Sequence, residues 1–319
     1  VTDFAHLHLH SEYSLLDGCI RFKELVPYLK EIGLTACALT DHGNMCGAVE
    51  FYKAMKKEGL KPLVGIEAYC SDNPDDVAQE DKIKDNMHVV LLPKDNVGLK
   101  TLFKLISEAN LHNFYYKPRI QFEKLAQLAG HCVVSTACLA GILSSVVKWD
   151  SDRRMWSDET NAAEEKISFL QDHFKEDLYL ELQDWNDGTD IQPAWNEFLL
   201  MVSEKRNIEC VITTDAHYLR ETDYELHELL MALQLKQTLE EYKQGTQLKY
   251  GPYFWVKPPE EMLKSAKKIG CESAFWNTGK IADKCNVELE LGTYYPPVFH
   301  PEKAKDYQDF LKWRKERGL

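Results

Sequence analysis

Short β-like runs alternate with amphipathic stretches through most of this sequence, and that alternation points to a parallel α/β architecture. The strand candidates are Phe4–His10, Ala36–Thr40, Leu63–Ala68, His88–Leu92, Cys132–Ser135, Leu178–Leu182 and Cys210–Thr214. Helical patterns lie between them at Phe22–Ile32, Ala48–Glu58, Leu99–Ala109, Asn161–Phe174 and Gln192–Lys205. Seven strands with intervening helices predict a closed or nearly closed barrel, and a doubly wound open sheet is the alternative. Segments Ser71–Asn86 and Asp150–Asp158 read as surface loops. From Asp223 the pattern turns helical, at Tyr224–Gln234, Glu260–Lys268 and Phe275–Cys285. After Gly292 come Pro296, Pro297 and Pro301, then a charged helical run to Arg317.

Composition removes several classes. No apolar run approaches the ~18 residues that suggest a membrane span. The opening VTDFAHLHLH has neither the basic nor the apolar region of a secretory leader, so a cytoplasmic protein is expected. Nine cysteines, an odd number with no C-x-x-C pair, argue against a disulfide framework and a zinc ribbon. A formal charge of −13 disfavours general nucleic-acid binding, which relies on lysine and arginine. Bound metal would neutralise part of that acidity locally.

The chemistry gathers at strand ends. In His6-Leu7-His8-Leu9-His10 the period of two puts three imidazoles on one face and both leucines on the other. Neutral imidazole is the commonest metal ligand, and a packed core has little use for three of them. The bland reading is a set of satisfied core or surface histidines. Asp17 stands in an Asp-Gly pair, which taken alone reads as a turn. Further along, Asp41 and His42 follow the second run and Glu67 closes the third. His88 opens the fourth, Cys138 follows the fifth, and Asp215 and His217 follow the seventh. In α/β barrels the strand ends form one rim, so dispersed residues converge on one pocket. A solvated charge run would not respect strand ends in this way.

The segments HLHLHSEYSLLDG, ALTDHGNMCGAVEFY, KPLVGIEAY, HVVLLPKDNVGLKTLFKL, FYYKPRI and TTDAHYL resemble the polymerase-and-histidinol-phosphatase (PHP) domain family. The form they resemble is the one found in bacterial replicative DNA polymerases. The likeness runs in order over roughly residues 3 to 290, and is weaker between Asp150 and Asn161 and over Glu240–Tyr250. It implies a distorted seven-stranded β/α barrel, with residues 1–290 as the metal-dependent phosphoesterase domain. Residues 291–319 would then be a linker and helical tail leading toward a polymerase region.

The resemblance also implies two to three divalent ions held by His8, His10, Asp17, His42, Glu67, His88, Cys138, Asp215 and His217. His6 falls outside that set as a supporting or packing residue, and Asp41 is expected to orient a ligand or a structural group. His112 and His227 are expected at the surface. Imidazole and thiolate favour zinc, manganese or iron over magnesium. The implied activity is 3′–5′ exonucleolytic proofreading, the hydrolysis of DNA phosphodiesters by metal-activated water. Asp17, Glu67 and His10 are the candidate catalytic residues, with Glu67 suited to bridge two ions. Lys117 and Arg119 are candidates for binding DNA phosphate, and Tyr115 and Tyr116 for stacking on bases. The clustered aspartates of a polymerase palm are absent, so no polymerase activity is expected of this chain. Two other readings stay open: a small-molecule phosphatase of the histidinol phosphate type, and a metal-stabilised scaffold within a replicative polymerase.

Overall fold

The apolar runs read as strands are buried along nearly their whole length, so the sheet they build is covered on both faces. The computed structural model describes residues 3–74, 85–245, 251–294, 296 and 305–318. Its strands are β1 (Ala36–Leu39), β2 (Lys61–Val64), β3 (Ile66–Ser71), β4 (Met87–Pro93), β5 (Phe114–Tyr115) and β6 (Lys117–Gln121). They continue with β7 (Cys132–Ser135), β8 (Lys148–Asp150), β9 (Met155–Ser157), β10 (Leu178–Gln183) and β11 (Cys210–Thr213). The fold is mixed α/β. A seven-stranded sheet has the order β11-β10-β7-β4-β3-β6-β5, and β1 and β2 form a parallel pair.

Three expectations need correction. β4 runs antiparallel to both β3 and β7, where the alternating pattern predicts parallel neighbours. Parallel strands need a long crossover, usually a helix, whereas antiparallel ones can be joined by a simple loop. Among the described residues no helix separates Ser71 from Met87; residues 75–84 of the expected loop lie outside them. The Asp150–Asp158 segment is not plain loop, because β8 and β9 pair as a hairpin with Trp149 opposite Trp156. Phe4–His10 forms bridges rather than a continuous strand, His6 with Cys37 and Leu9 with Ala216, both parallel. The Thr40 hydroxyl accepts the Leu9 N–H at 2.9 Å, so a side chain takes the place of a ladder carbonyl there.

That first segment nevertheless lies between β1 and β11. Ala38 N–H donates to the His6 carbonyl at 2.7 Å, and His10 N–H donates to the Ala216 carbonyl at 2.8 Å. One core cluster draws on every apolar run: Leu7, Ala38, Leu63, Val90, Val133, Tyr179 and Val211. Ile281, Ala282 and Cys285, from the end of the helix Ser273–Lys284, join the same cluster. The chain divides into two compact units, Val1–Glu288 and Leu289–Leu319. The second contains the helix Lys305–Glu316; Pro297 and Pro301 lie outside the described residues. No helix among the described residues is long and apolar enough to cross a membrane.

Candidate metal centre

All nine side chains singled out above come together in one network, and Glu67 is its hub. Its Oε1 lies 3.3 Å from His8 Nε2, 3.0 Å from His88 Nδ1 and 3.9 Å from Cys138 Sγ. Its Oε2 lies 3.4 Å from His10 Nε2 and 2.6 Å from His42 Nδ1. Asp215 Oδ1 approaches His8 Nε2 at 3.2 Å and His10 Nε2 at 3.1 Å. Asp17 Oδ2 stands 2.8 Å from His42 Nε2 and 3.4 Å from His217 Nε2.

The backbone takes uncommon forms to deliver these groups. Positive φ occurs at Leu16 (60°), Ala137 (59°) and Asp215 (51°), each of them in the network or one residue before a member. Non-glycine residues rarely adopt this region, and such strain gathers where surrounding structure enforces a functional geometry. The turn that carries Asp17 is closed by Asp17 N–H and Gly18 N–H, both donating to the Ser14 carbonyl. A Cβ on Gly18 would meet the Ser11 carbonyl oxygen at 2.2 Å. Gly18→Ala should therefore push the turn outward, costing about 1–3 kcal/mol as overpacking does. Chemical denaturation would read that loss, and a metal titration the accompanying displacement of Asp17.

The second ring nitrogens of His8, His10 and His217 are committed to partners that aim these imidazoles inward. Ser14 Oγ donates to Asp41 at 2.8 Å, so the His10 Nδ1–H donates to Ser14 Oγ at 3.1 Å and leaves Nε2 facing Glu67 and Asp215. A hydrogen-bond chain thus links Asp41 to His10 through Ser14. His217 Nδ1 sits 2.6 Å from the Asp215 carbonyl. His6 turns elsewhere, with Nε2 2.9 Å from the Lys257 carbonyl and its ring edge-on to Phe4. His112 is exposed, as expected. His227 is not: it is buried on the helix Tyr224–Gln234, its ring 5.5 Å from that of His217, because this helix packs over the site instead of standing free of it.

Burial and charge are in tension here. Burial works against the His42 cation, but the Glu67 and Asp17 carboxylates outweigh it and raise the His42 pKa to about 10. His8 and His217 are raised likewise, against burial, by neighbouring carboxylates. Burial and the imidazoles around it push His10 the other way, to about 3. Asp17 is held well below the usual carboxylate range, since His217 and His42 overcome its burial. Burial, with Glu67 and Asp215 nearby, pushes the Cys138 thiol well up.

These residues fit divalent metal ions. His8 Nε2 is buried and has no hydrogen-bond partner, a rare condition for a buried polar atom. It faces the other donors. Three triads have their ligand atoms within 4.8 Å of one another: His10-His42-His217, His8-His10-Glu67 and His42-Glu67-His88. The mixture of imidazole, carboxylate and thiol suits a divalent transition-metal ion.

Asp17, His42 and His88 open onto a cleft of about 420 Å³ walled by Tyr13, Asn44, Tyr69 and Lys117. Lys117 stands at its mouth, Nζ 5.0 Å from the centre of the Tyr69 ring. Tyr115 is half-buried and packs edge-on against the exposed Tyr116 at 4.7 Å. Arg119 corrects the expectation of a phosphate contact. It is 1% exposed and donates to the Pro74 carbonyl at 2.7 Å, so its guanidinium is sealed inside the protein. Glu181 is the residue that the strand-end pattern misses. It is buried in β10, with Oε1 2.7 Å from His8 Nδ1. Its signal is an acid inside the apolar run Leu178–Leu182, the one candidate strand with no metal-type residue assigned.

A mixed α/β scaffold carries this histidine and carboxylate cluster at its strand ends, and the PHP domain family profile matches residues 6–185. The chain belongs to that family. Its curated relatives include the DNA polymerase III subunit alpha of Aquifex aeolicus, 38% identical over 99% of this chain and 27% of that protein. The same subunit of Campylobacter jejuni is 36% identical over 98% of this chain and 26% of that protein. The chain thus spans about a quarter of the length of these relatives. A looser likeness, TM-score 0.44 at 14% identity, covers 67% of this chain and 87% of an amidohydrolase structure from Chromobacterium violaceum.

Proposed function

We propose that this domain is a metal-dependent phosphoesterase that hydrolyses DNA phosphodiesters from the 3′ end. The observation that carries the reading is the gathering of five donor side chains around Glu67, joined by Asp17, Asp215 and His217, beside a cleft lined by Asp17, His42, His88 and Lys117. His8, His10, Asp17, His42, Glu67, His88, Cys138, Asp215 and His217 would hold two to three ions of zinc, manganese or iron. Such ions supply Lewis acidity and a water acidified to a pKa of roughly 7. The protein's own residues do the rest. The Lys117 ammonium draws a phosphate into the cleft, Tyr69 and Tyr13 wall it, and Ser14 and Asp41 keep His10 aimed inward. Tyr115, beside Lys117, is placed to stack on a base.

The polymerase relatives support DNA as substrate over a small phosphate monoester. On this reading the remainder of a replicative polymerase, in the cytoplasm, presents the strand, which reconciles the charge of −13 with a nucleic-acid substrate. Residues 1–290 are the phosphoesterase domain and 291–319 the connection toward that remainder. We read the seven apolar runs as a closed, distorted barrel. The support is the placing of the first segment between β1 and β11 and the core cluster that draws on all seven runs.

The test is degradation of a 5′-labelled single-stranded oligonucleotide with Mn²⁺. A ladder shortening from the 3′ end is expected, with Asp17→Ala and His10→Ala each reducing the rate more than about 100-fold, the upper range for lesser, outer-shell changes. If folded, metal-loaded protein leaves the oligonucleotide intact but cleaves small phosphate monoesters, the small-molecule phosphatase reading replaces this one. If it cleaves neither, while chelation still lowers the melting temperature, the scaffold reading does.

A further inference from the structure

We propose that Glu181 is a positioning residue for the metal centre, locking the His8 ring so that its Nε2 alone faces the ions; this rests on the metal-centre reading above. Glu181 lies on β10, between β7 and β11, and each of these three strands supplies it with a donor. Ser135 Oγ donates to Oε2 at 2.6 Å, Thr213 Oγ1 donates to Oε1 at 2.6 Å, and Gln183 Nε2 donates to Oε1 at 3.4 Å. The Glu181 main-chain N–H is held in turn by Thr136 Oγ1 at 3.0 Å. An ionised carboxylate only accepts hydrogen bonds, so its fourth neighbour, His8 Nδ1 at 2.7 Å, must be the donor.

That assignment fixes the tautomer. With a proton held on Nδ1, His8 Nε2, 3.3 and 3.2 Å from Glu67 and Asp215 and without a hydrogen-bond partner, is the nitrogen left to take an ion once its own proton is displaced. A carboxylate bound to the far nitrogen of a ligating histidine both holds the ring and raises its basicity. Two hydroxyls on rigid neighbouring strands keep the carboxylate itself from rotating. A buried acid with only a packing role would need its own bonds satisfied. It would not need its shortest approach to an imidazole to be on the side away from the cluster.

The experiment measures Mn²⁺ dissociation constants of the full chain by equilibrium dialysis after stripping with chelator. Glu181→Gln should weaken binding roughly 10-fold and Glu181→Ala up to about 100-fold, the range found for groups that orient metal ligands. Glu181→Gln keeps the shape of the side chain and an acceptor for Thr213, so it carries the test if Glu181→Ala does not fold. Wild-type affinity in folded Glu181→Gln overturns the assignment, because a merely structural carboxylate would change the melting temperature in chelator and leave the constant alone. Asp17→Ala separates the two ideas. If it loses Mn²⁺ while the Glu181 variants do not, only the positioning role falls. If wild-type protein takes up no Mn²⁺, the metal-centre reading falls and this inference with it.

Discussion

Glu67→Ala is expected to abolish metal uptake and all metal-dependent hydrolysis, a larger loss than any other single change at the site. The side chain meets His8, His10, His42, His88 and Cys138, so its removal takes away the common neighbour of five donors. Two consequences follow in the metal-free protein. His42 loses the carboxylate that contributes most to raising its pKa to about 10, and the value should fall toward the ordinary imidazole range. Stability should fall by about 3–5 kcal/mol, the cost of removing one partner from a buried ionic group. Calorimetry with and without Mn²⁺ reads both effects: a lower melting temperature in chelator, and no rise when metal is added. Glu67→Gln isolates the charge, because it keeps the shape of the side chain. A Glu67→Gln protein that still gains stability from Mn²⁺ as wild type does would remove Glu67 from the centre of the site.

How legible the site is in the sequence differs from residue to residue, for physical reasons. His8 and His10 are legible because a period of two is a property of extended backbone, and that backbone persists although Phe4–His10 forms bridges instead of a full strand. Asp215 and His217 are legible for the same reason, two apart just after a buried run. Asp17 is not legible from pattern, since its Asp-Gly pair reads as a turn. It is a turn, and Leu16 at positive φ swings the carboxylate into the cluster. Only the family resemblance assigns it, as it assigns Cys138.

Other features depend on tertiary context. The reversal of β4 escapes the sequence because the pattern of apolar residues within a strand carries no direction. Arg119 and Lys117 are two apart on β6, and their types suggest the same role. Nothing local reveals that Arg119 is capped by the Pro74 carbonyl while Lys117 stays at the cleft mouth. The burial of His227 escapes the sequence because helical pattern alone does not tell which element a helix covers. Glu181 belongs to a different category. An acid in the middle of a fully apolar run must be satisfied by something once that run is buried, and the run itself displays that requirement.

Metal affinity should rise steeply with pH, by about tenfold per pH unit for each proton that the ion displaces. His8, His42 and His217 are all raised by the carboxylates around them, and His42 keeps its proton until about pH 10. A protonated imidazole nitrogen cannot ligate, so each of these protons competes with the metal across the neutral range. His10, lowered to about 3, is already neutral and contributes none. The Cys138 thiol, also pushed up, must lose its proton to ligate, so between one and four protons should leave per binding event between pH 6 and 8. Calorimetric titration in buffers of different ionisation enthalpy counts them. The sign for stability is opposite in the metal-free chain. The folded-state pKa of His42 lies above its unfolded value, so its contribution is complete below about 6.5 and is lost as pH rises through about 10. Metal-free protein should thus lose stability on going alkaline over the same range in which it gains affinity for metal. This crossing follows from one arrangement, imidazoles held between carboxylates, that stores protons until an ion replaces them. An affinity for Mn²⁺ that stays flat from pH 6 to 8 would mean that the imidazoles are neutral before binding, and that the charge balance of the cluster is set by groups other than Glu67 and Asp17.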